Sequence, residues 1–208
     1  MNVTRPIYGQ SSYTTARDSD KSIAYLKKKL NDGQFNLTKS QQISIAYHKD
    51  LIKKIPRAEM DEHFKFIQDL VPTAKIAGSY RRGLLYSSDI DIIVRESLPS
   101  VIKRLTDAGY IKEIISFGNK KFSGVVILKK IHRHLDIIFT TPRSYPFAML
   151  YFTGSKKYNI IMRLKAKRNG WKLNEYGLWN GFVSVGNIKT ERDIFKTLKT
   201  AYVAPEDR

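Results

Sequence analysis

The chain has 208 residues, 42% of them hydrophobic and 12% aromatic, a composition that builds at least one substantial core and excludes a disordered or fibrous chain. Its 37 Lys and Arg outnumber 19 Asp and Glu, for a formal charge of +18, which favours a polyanionic partner, nucleic acid first, over a neutral one. There is no cysteine, so disulfides, thiolate metal sites and Cys nucleophiles are excluded, which fits a reducing intracellular setting; no apolar run approaches the ~20 residues of a spanning helix and no leader pattern opens the chain.

Residues 1–18 are polar and without clear period, and read as a flexible arm. Ile23 and Leu26 mark a short helix ending near Gly33, and Thr38 or Ser40 caps a second in which Ile43, Ala46, Tyr47, Leu51 and Ile55 recur at helical spacing. Pro56 takes the first position of an amphipathic helix over 56–71, with Met60, Phe64, Ile67 and Val71 along one face. From there the period shortens. Residues 74–77 read as a strand running into Gly78-Ser79, 80–86 as one or two helical turns, 89–94 as strand, and 98–109 as a helix stopped by Gly109. Strands over 120–128 and 132–139 are joined by a tight turn; beyond Pro146 come a helix over 155–170, short strands around 171–185 and a last helix from Glu191. Such mixing predicts an α+β fold: a mixed sheet with helices on one side, flanked by a short N-terminal helical segment and a C-terminal α+β subdomain. The expected divisions are an arm over 1–18, a helical segment over 19–55, a sheet domain over 56–142 and a C-terminal subdomain over 143–208.

The positive charge is uneven. No acid falls between Ser144 and Asn174, where Lys156, Lys157, Arg163, Lys165, Lys167, Arg168 and Lys172 lie, nor between Ile114 and Leu135, which hold Lys120, Lys121, Lys129, Lys130 and Arg133. Against that background two aspartates sit in an apolar strand. Residues two apart in a strand share a face, so Asp89 and Asp91 project together while Ile90 and Ile92 point to the core. Paired carboxylates repel unless one holds a proton or a cation stands between them. Asp136, in a second apolar strand, can reach the same face. Three carboxylates favour hard divalent ions with oxygen ligands, a pair of Mg²⁺ first with Mn²⁺ as the alternative, in the arrangement that serves in-line displacement at phosphorus. Just upstream, Gly78 and Ser79 follow a strand and open a helix, so backbone amides, the Ser79 hydroxyl and Arg82 can grip a phosphate.

The string GSYRRG over 78–83, then SSDIDIIV over 87–94, HLDIIF over 134–139 and YFTGS over 151–155, resembles the nucleotidyltransferase superfamily and, within it, family X DNA polymerases of the beta type. Segments 53–60, 151–163, 173–178 and 191–198 also have counterparts there in the same order, so the likeness runs from about residue 19 to the C-terminus. It implies a catalytic palm over 56–142 and template-dependent addition of dNMP to a primer 3′-hydroxyl. Asp89, Asp91 and Asp136 are then the metal ligands, Asp136 serving only the ion that activates the hydroxyl. Gly78, Ser79, Arg82, Lys54, Ser87 and Ser88 contact the triphosphate, and Tyr151, Phe152, Gly154 and Asn159 line the nucleotide. His134, Arg163, Lys165, Glu175 and Tyr176 serve the DNA side, Glu175 and Tyr176 by positioning Arg163. The partners implied are gapped or primer-template DNA and a dNTP, with no membrane, for a monomeric protein like the small viral members of the family.

Two positions depart from the pattern: Ser88 stands where Gly is common, and His134 where Arg is, a ring that ordinarily carries charge only below ~6.5. The 18 residues before the first expected helix are too few for the lyase domain of repair members, so gap filling without lyase activity is expected. His132, His134 and Asp136 also spell the H-x-H-x-D of zinc hydrolases, but His48 and His63, the remaining histidines, fall upstream on expected helices. A nucleotidyltransferase acting on RNA ends or adding nucleotides without a template, and a non-catalytic DNA-binding protein, are the competing classes.

Overall fold

The computed structural model describes residues 37–208, together with Tyr25 and Lys28, both helical. The expected arm and most of the first helix, with Ile23 and Leu26, lie outside the described residues. The chain divides into two units, 1–46 and 47–208. Of the first, helix α1 (Lys39–Ala46) is described. Thr38 rather than Ser40 begins it: the Gln41 amide donates to Thr38 Oγ1 at 3.3 Å while the Thr38 amide donates to Gln41 Oε1 at 2.9 Å, a reciprocal cap.

In the second unit a short helix α2 (His48–Leu51) leads to strand β1 (Ile55–Pro56), so the helical period expected through Ile55 breaks at Tyr47 and again before Ile55. Pro56, extended at ψ 153°, caps helix α3 (Arg57–Leu70) instead of occupying its first turn. Strand β2 (Lys75–Ile76), the single turn α4 (Gly78–Arg81), β3 (Tyr86–Ser87), β4 (Ile90–Val94), helix α5 (Leu98–Asp107) and strands β5 (Ile111–Phe117), β6 (Lys121–Leu128) and β7 (Ile131–Phe139) complete the sheet region. Residues 80–86 are therefore helical only to Arg81, and Tyr86 pairs with Pro56 in a two-stranded ribbon.

The main sheet runs β2-β4-β7-β6-β5, with β4 and β7 parallel and the other pairs antiparallel. Its core-facing side chains, Ile90, Ile92 and Val94 on β4, Leu135 and Ile137 on β7, Phe122 and Val126 on β6, are all fully buried against Met60 and Ile67 of α3 and Leu98, Val101 and Leu105 of α5. Apolar area removed from water on this scale, at ~25 cal/mol per Å², is what holds the layer together. β6 and β7 turn at Lys129 and Lys130, whose φ values of 48° and 68° are those of a two-residue hairpin turn.

Arg133 points to the same face and is almost wholly buried. Its Nε and Nη2 donate to Glu59 of α3 at 2.6 and 3.0 Å, and its Nη1 donates to the Asp50 and Lys53 carbonyls. One guanidinium thus ties β7 to α3 and α2. His63, fully buried beside it, shares a 2.7 Å hydrogen bond with the Tyr110 hydroxyl.

Helix α6 (Tyr145–Thr153) is not expected from the sequence, because it is apolar on nearly every side and shows no amphipathic period. Its Ala148 and Met149 cover the other face of β4 at Ile93. Helix α7 (Lys156–Arg168) follows, capped by Ser155, whose hydroxyl accepts from the Tyr158 amide. A three-stranded sheet, β8 (Lys172–Asn174), β9 (Gly177–Asn180) and β10 (Val183–Ser184), and helix α8 (Glu191–Thr197), with a capping box between Thr190 and Asp193, close a second core around Phe147, Leu150, Met162, Leu178 and Phe195.

Candidate active site

The parallel pairing of β4 and β7 sets Asp91 directly opposite Asp136, one strand spacing apart on the same face. The next pair along that face is Ile93 opposite Ile138, both buried. A two-residue step therefore takes the surface of the sheet from carboxylates to hydrocarbon. Asp89 precedes β4 with the parity of Asp91, so all three acids share one face.

The surroundings of Asp89 and Asp91 resist charge. Burial pushes the Asp91 carboxyl up to about 8, and Asp89 and Asp136 add to the rise against the pull of Lys121 and Arg82. Asp89 is also raised, first by burial and then by Asp136, with His134, Lys54 and Lys121 opposing. Asp136 Oδ2 accepts from Lys121 Nζ at 2.7 Å, and its Oδ1 is buried without a hydrogen-bond partner. Among the described residues no three His, Asp or Glu side chains stand close enough to form a finished ion cage. The donor set nevertheless fits a divalent cation: hard oxygens from two adjacent strands, one of them an orphaned buried acceptor, in a place where added positive charge would relieve the repulsion.

Gly78 presses directly on this group. Its φ of +58° turns the chain between β2 and α4, and a Cβ there would stand 2.1 Å from Asp91 Oδ2. The amide of Ala77 donates to the Asp91 carbonyl at 2.9 Å, fixing the turn over the acid. Ser79 and Arg82 then face a cavity of about 670 Å³ whose wall also includes Ser88, Asp89, Asp91, Tyr151, Phe152, Gly154, Asn159 and Arg163. Arg82 Nη1 donates to the Thr153 carbonyl at 2.5 Å. Gly154, at φ +68°, leaves room for that reach, since a Cβ on it would meet Arg82 Nη1 at 3.2 Å.

Other expected residues occupy supporting positions. Ser87 is buried behind the wall, where its hydroxyl accepts from Ser79 at 2.8 Å. Lys54 donates to the Ser88 hydroxyl at 2.7 Å, which sets an ammonium beside Asp89. The Tyr151 and Phe152 rings meet edge to face at 5.0 Å, and Arg163 lies 5.0 Å over the Tyr151 ring. Asn159 Nδ2 donates to the Tyr151 carbonyl at 2.7 Å and so joins α7 to the end of α6.

His134 Nε2 is 3.0 Å from Ser123 Oγ and 3.9 Å from Asp136 Oδ1. His132 pairs with Asp50 at 3.0 Å and leans on the Tyr47 ring, a structural role that removes it from any zinc site with His134. Lys165 is drawn to the Thr200 hydroxyl. Glu175 makes no ion pair with Arg163 among the described residues; it stands by Tyr176, whose phenol is raised by burial and then by Glu175, and whose ring carries Lys120 Nζ at 4.4 Å from its centre.

Ser155, Lys156 and Ile160 also line the cavity, and of these the sequence marks Lys156 only as part of a basic window. The helical spacing of Lys156 and Ile160, four apart like Asn159 and Arg163, is the signal that finds them. Lys121, which the sequence shows only as part of a basic interval, is the other neighbour. Ser123 pairs with Asp136 across the hairpin, and Lys121 is the next residue along the same face, a diagonal contact that hairpin register specifies.

The sequence matches the family models for the DNA polymerase beta palm over residues 54–142 and the DNA polymerase beta thumb over 148–208. It is 31% identical to the DNA polymerase/3′-5′ exonuclease PolX of Bacillus subtilis (strain 168), a match covering 72% of this chain and 26% of that protein. It is 29% identical to DNA polymerase lambda of Rattus norvegicus, covering 85% of this chain and 36% of the other, so it spans well under half the length of these relatives. Among solved structures it is similar to Leishmania infantum polymerase beta in a ternary P/T complex, with a TM-score of 0.80, 28% identity, and 89% of this chain and 87% of the other covered. The ternary gap complex of the same polymerase gives a TM-score of 0.80 at 26% identity, over 93% of this chain and 82% of the other.

Proposed function

The chain belongs to the family X DNA polymerases, and on that premise we propose that it adds dNMP to a primer 3′-hydroxyl under the direction of a template, filling short gaps in DNA. The observation that carries the reading is the register of Asp91 opposite Asp136, with Asp89 on the same face, at the edge of a cavity whose far wall is the Tyr151-Phe152 pair and the α7 face. The reaction forms a bond between the primer 3′-oxygen and the α-phosphorus and breaks the bond from that phosphorus to the pyrophosphate leaving group.

Asp89, Asp91 and Asp136 hold the divalent cations on which the family depends. When bound, these cations lower the pKa of the attacking hydroxyl and neutralise charge on the phosphates. Ser79 and Arg82 hold the triphosphate, Ser79 kept in place by Ser87 and Arg82 by the Thr153 carbonyl. Lys54 adds charge through Ser88. Tyr151 and Phe152 wall off the sugar side and exclude water, while Asn159 fixes the bend that presents them. Arg163, held over Tyr151, faces the nascent pair. His134 and Tyr176 lie toward the DNA, with Glu175 supporting Tyr176. Lys165, engaged with Thr200, adds its positive charge on the DNA side.

The test is extension of a primer across a short gap in the presence of Mg²⁺ or Mn²⁺, beside single-stranded DNA and RNA ends. Extension should require template and cation and should vanish in Asp136→Asn, with salt-sensitive DNA binding retained. Template-independent addition, or wild-type extension by Asp136→Asn, overturns the assignment.

A further inference from the structure

Three acids share the face described above, and one cation acts on all of them. Lys121 Nζ pairs with Asp136 Oδ2 at 2.7 Å and also opposes the rise of both Asp89 and Asp91. The other basic groups nearby are engaged differently. His134 Nε2 is bonded to Ser123 and stands 3.9 Å from Asp136, Lys54 donates to Ser88, and Arg82 to the Thr153 carbonyl.

We propose that Lys121 is a built-in competitor for the divalent cation at Asp136: its ammonium occupies the carboxylate until an ion displaces it, and so sets how readily the site loads. The inference rests on the reading of the three aspartates as ion ligands.

The geometry suits displacement rather than permanent anchoring. Lys121 lies near the start of β6, diagonal to Asp136 across the hairpin, with its side chain 52% exposed while that of Asp136 is 17% exposed. A four-carbon stem with one end already in water can swing away at little cost, which a guanidinium locked in four hydrogen bonds, such as Arg133, cannot do. Asp136 uses only one oxygen for the ammonium, leaving Oδ1 buried and unsatisfied. A lysine holding the carboxylate as its final partner would leave that atom orphaned in every state of the enzyme. A cation reaching both oxygens, or replacing Lys121 on one, removes the deficit.

Competition has a signature that simple support of Asp136 lacks: taking Lys121 away strengthens ion binding. Mn²⁺ binding to the full chain, without DNA or nucleotide, is measured by calorimetry or by electron paramagnetic resonance of free Mn²⁺, with thermal unfolding to establish that each variant is folded. Lys121→Met should bind Mn²⁺ about fivefold more tightly, the upper range for a half-exposed ion pair. Lys121→Arg, which keeps the charge, should return the affinity toward wild type. Unchanged or weaker binding by folded Lys121→Met overturns the proposal and makes the pair a prop for the carboxylate. Asp136→Asn separates the two levels of the argument: if it leaves Mn²⁺ binding intact, the ligand assignment of Asp136 falls and the competition with it.

Discussion

Replacing Gly78 with Ala tests the site where backbone and carboxylate meet. The residue sits at φ +58°, a conformation that costs a side chain about 1 kcal/mol or more. The new methyl would be built 2.1 Å from Asp91 Oδ2, roughly an ångström inside ordinary contact, and the obstacle is not the free end of a mobile side chain. Asp91 is half-buried within the sheet, and its own carbonyl is bonded to the Ala77 amide at 2.9 Å. Either the 77–78 turn lifts and loses that bond, worth about 1 kcal/mol, or the carboxylate rotates away from Asp136. Strain and overpacking together come to about 2–4 kcal/mol. At ~2–4 °C per kcal/mol for a chain of this size, Tm should fall by about 5–15 °C. Misplacing a reacting group by about an ångström costs on the order of 100-fold, so the rate of single-nucleotide addition should drop by that much at temperatures where the variant is folded. Thermal unfolding and single-turnover extension, run together, separate the two effects. A variant with wild-type stability and rate would show that the turn does not bear on Asp91, and a folded variant with a normal rate would show that the position of Asp91 is not critical.

Arg133→Met should lower stability in urea by ~3 kcal/mol, because it leaves the Glu59 carboxylate and two carbonyls without their donor; Arg133→Met with Glu59→Met should regain much of the loss. His63 sets an acid limit. Burial lowers its pKa to about 4, winning over the pull of Glu59 at 3.7 Å, so the fold keeps the ring neutral where the unfolded chain protonates it below ~6.5. The unfolded state then binds more protons between those values, and stability is lost as pH falls from ~6.5 toward 4, a slope that His63→Leu should flatten in unfolding curves taken across that range. DNA affinity should fall with salt through the basic residues that no acid claims. Neutralising Lys167 and Arg168, both exposed on the last turn of α7 and outside every ion pair of the described residues, should make the log–log salt slope shallower by about 2, whereas Arg104→Ala, already bound to Glu96 and the Leu70 carbonyl, should leave it unchanged.

What the sequence conveys depends on whether a residue's neighbours are set by period or by tertiary contact. The core strand of Ile90, Ile92 and Val94, the α3 face of Met60 and Ile67, and the stop at Gly109 follow from spacing and turn chemistry alone. Strand parity marked the acids and the strand-to-helix step marked the Gly78 turn, while family likeness added the aromatic pair of the cavity wall. The failures have physical causes. Ile55 fits a helical stripe yet joins a ribbon with Ser87, because pairing with a residue 32 positions along the chain is invisible to local period. Strand β5 went unassigned: it is an edge strand with two register shifts and a half-exposed face, and offers neither clean alternation nor a solid apolar run. The grouping of Arg133, Glu59 and His63 joins two elements whose contact no spacing announces, and it turns an apparent surface arginine into a buried tie.

The placement of the acids shows where the fold accepts a local inconsistency. Along the face shared by β4 and β7, Ile93, beneath α6, and its partner Ile138 behave as a sheet requires, both buried. One step earlier, the same strands present Asp91 and Asp136, the former in surroundings that oppose its ionisation. Packing alone would favour hydrocarbon at both positions, and the opposite face, continuous from Ile90 through Val94, provides the stability that lets the sheet carry the exception. The rigid pairing that makes the acids costly also holds them in register, for neither strand can shift by one residue without turning its whole apolar row toward water. A loop could carry three carboxylates at less cost, but it could not hold them opposite one another; a parallel strand pair, anchored on its reverse side by two helices, does both.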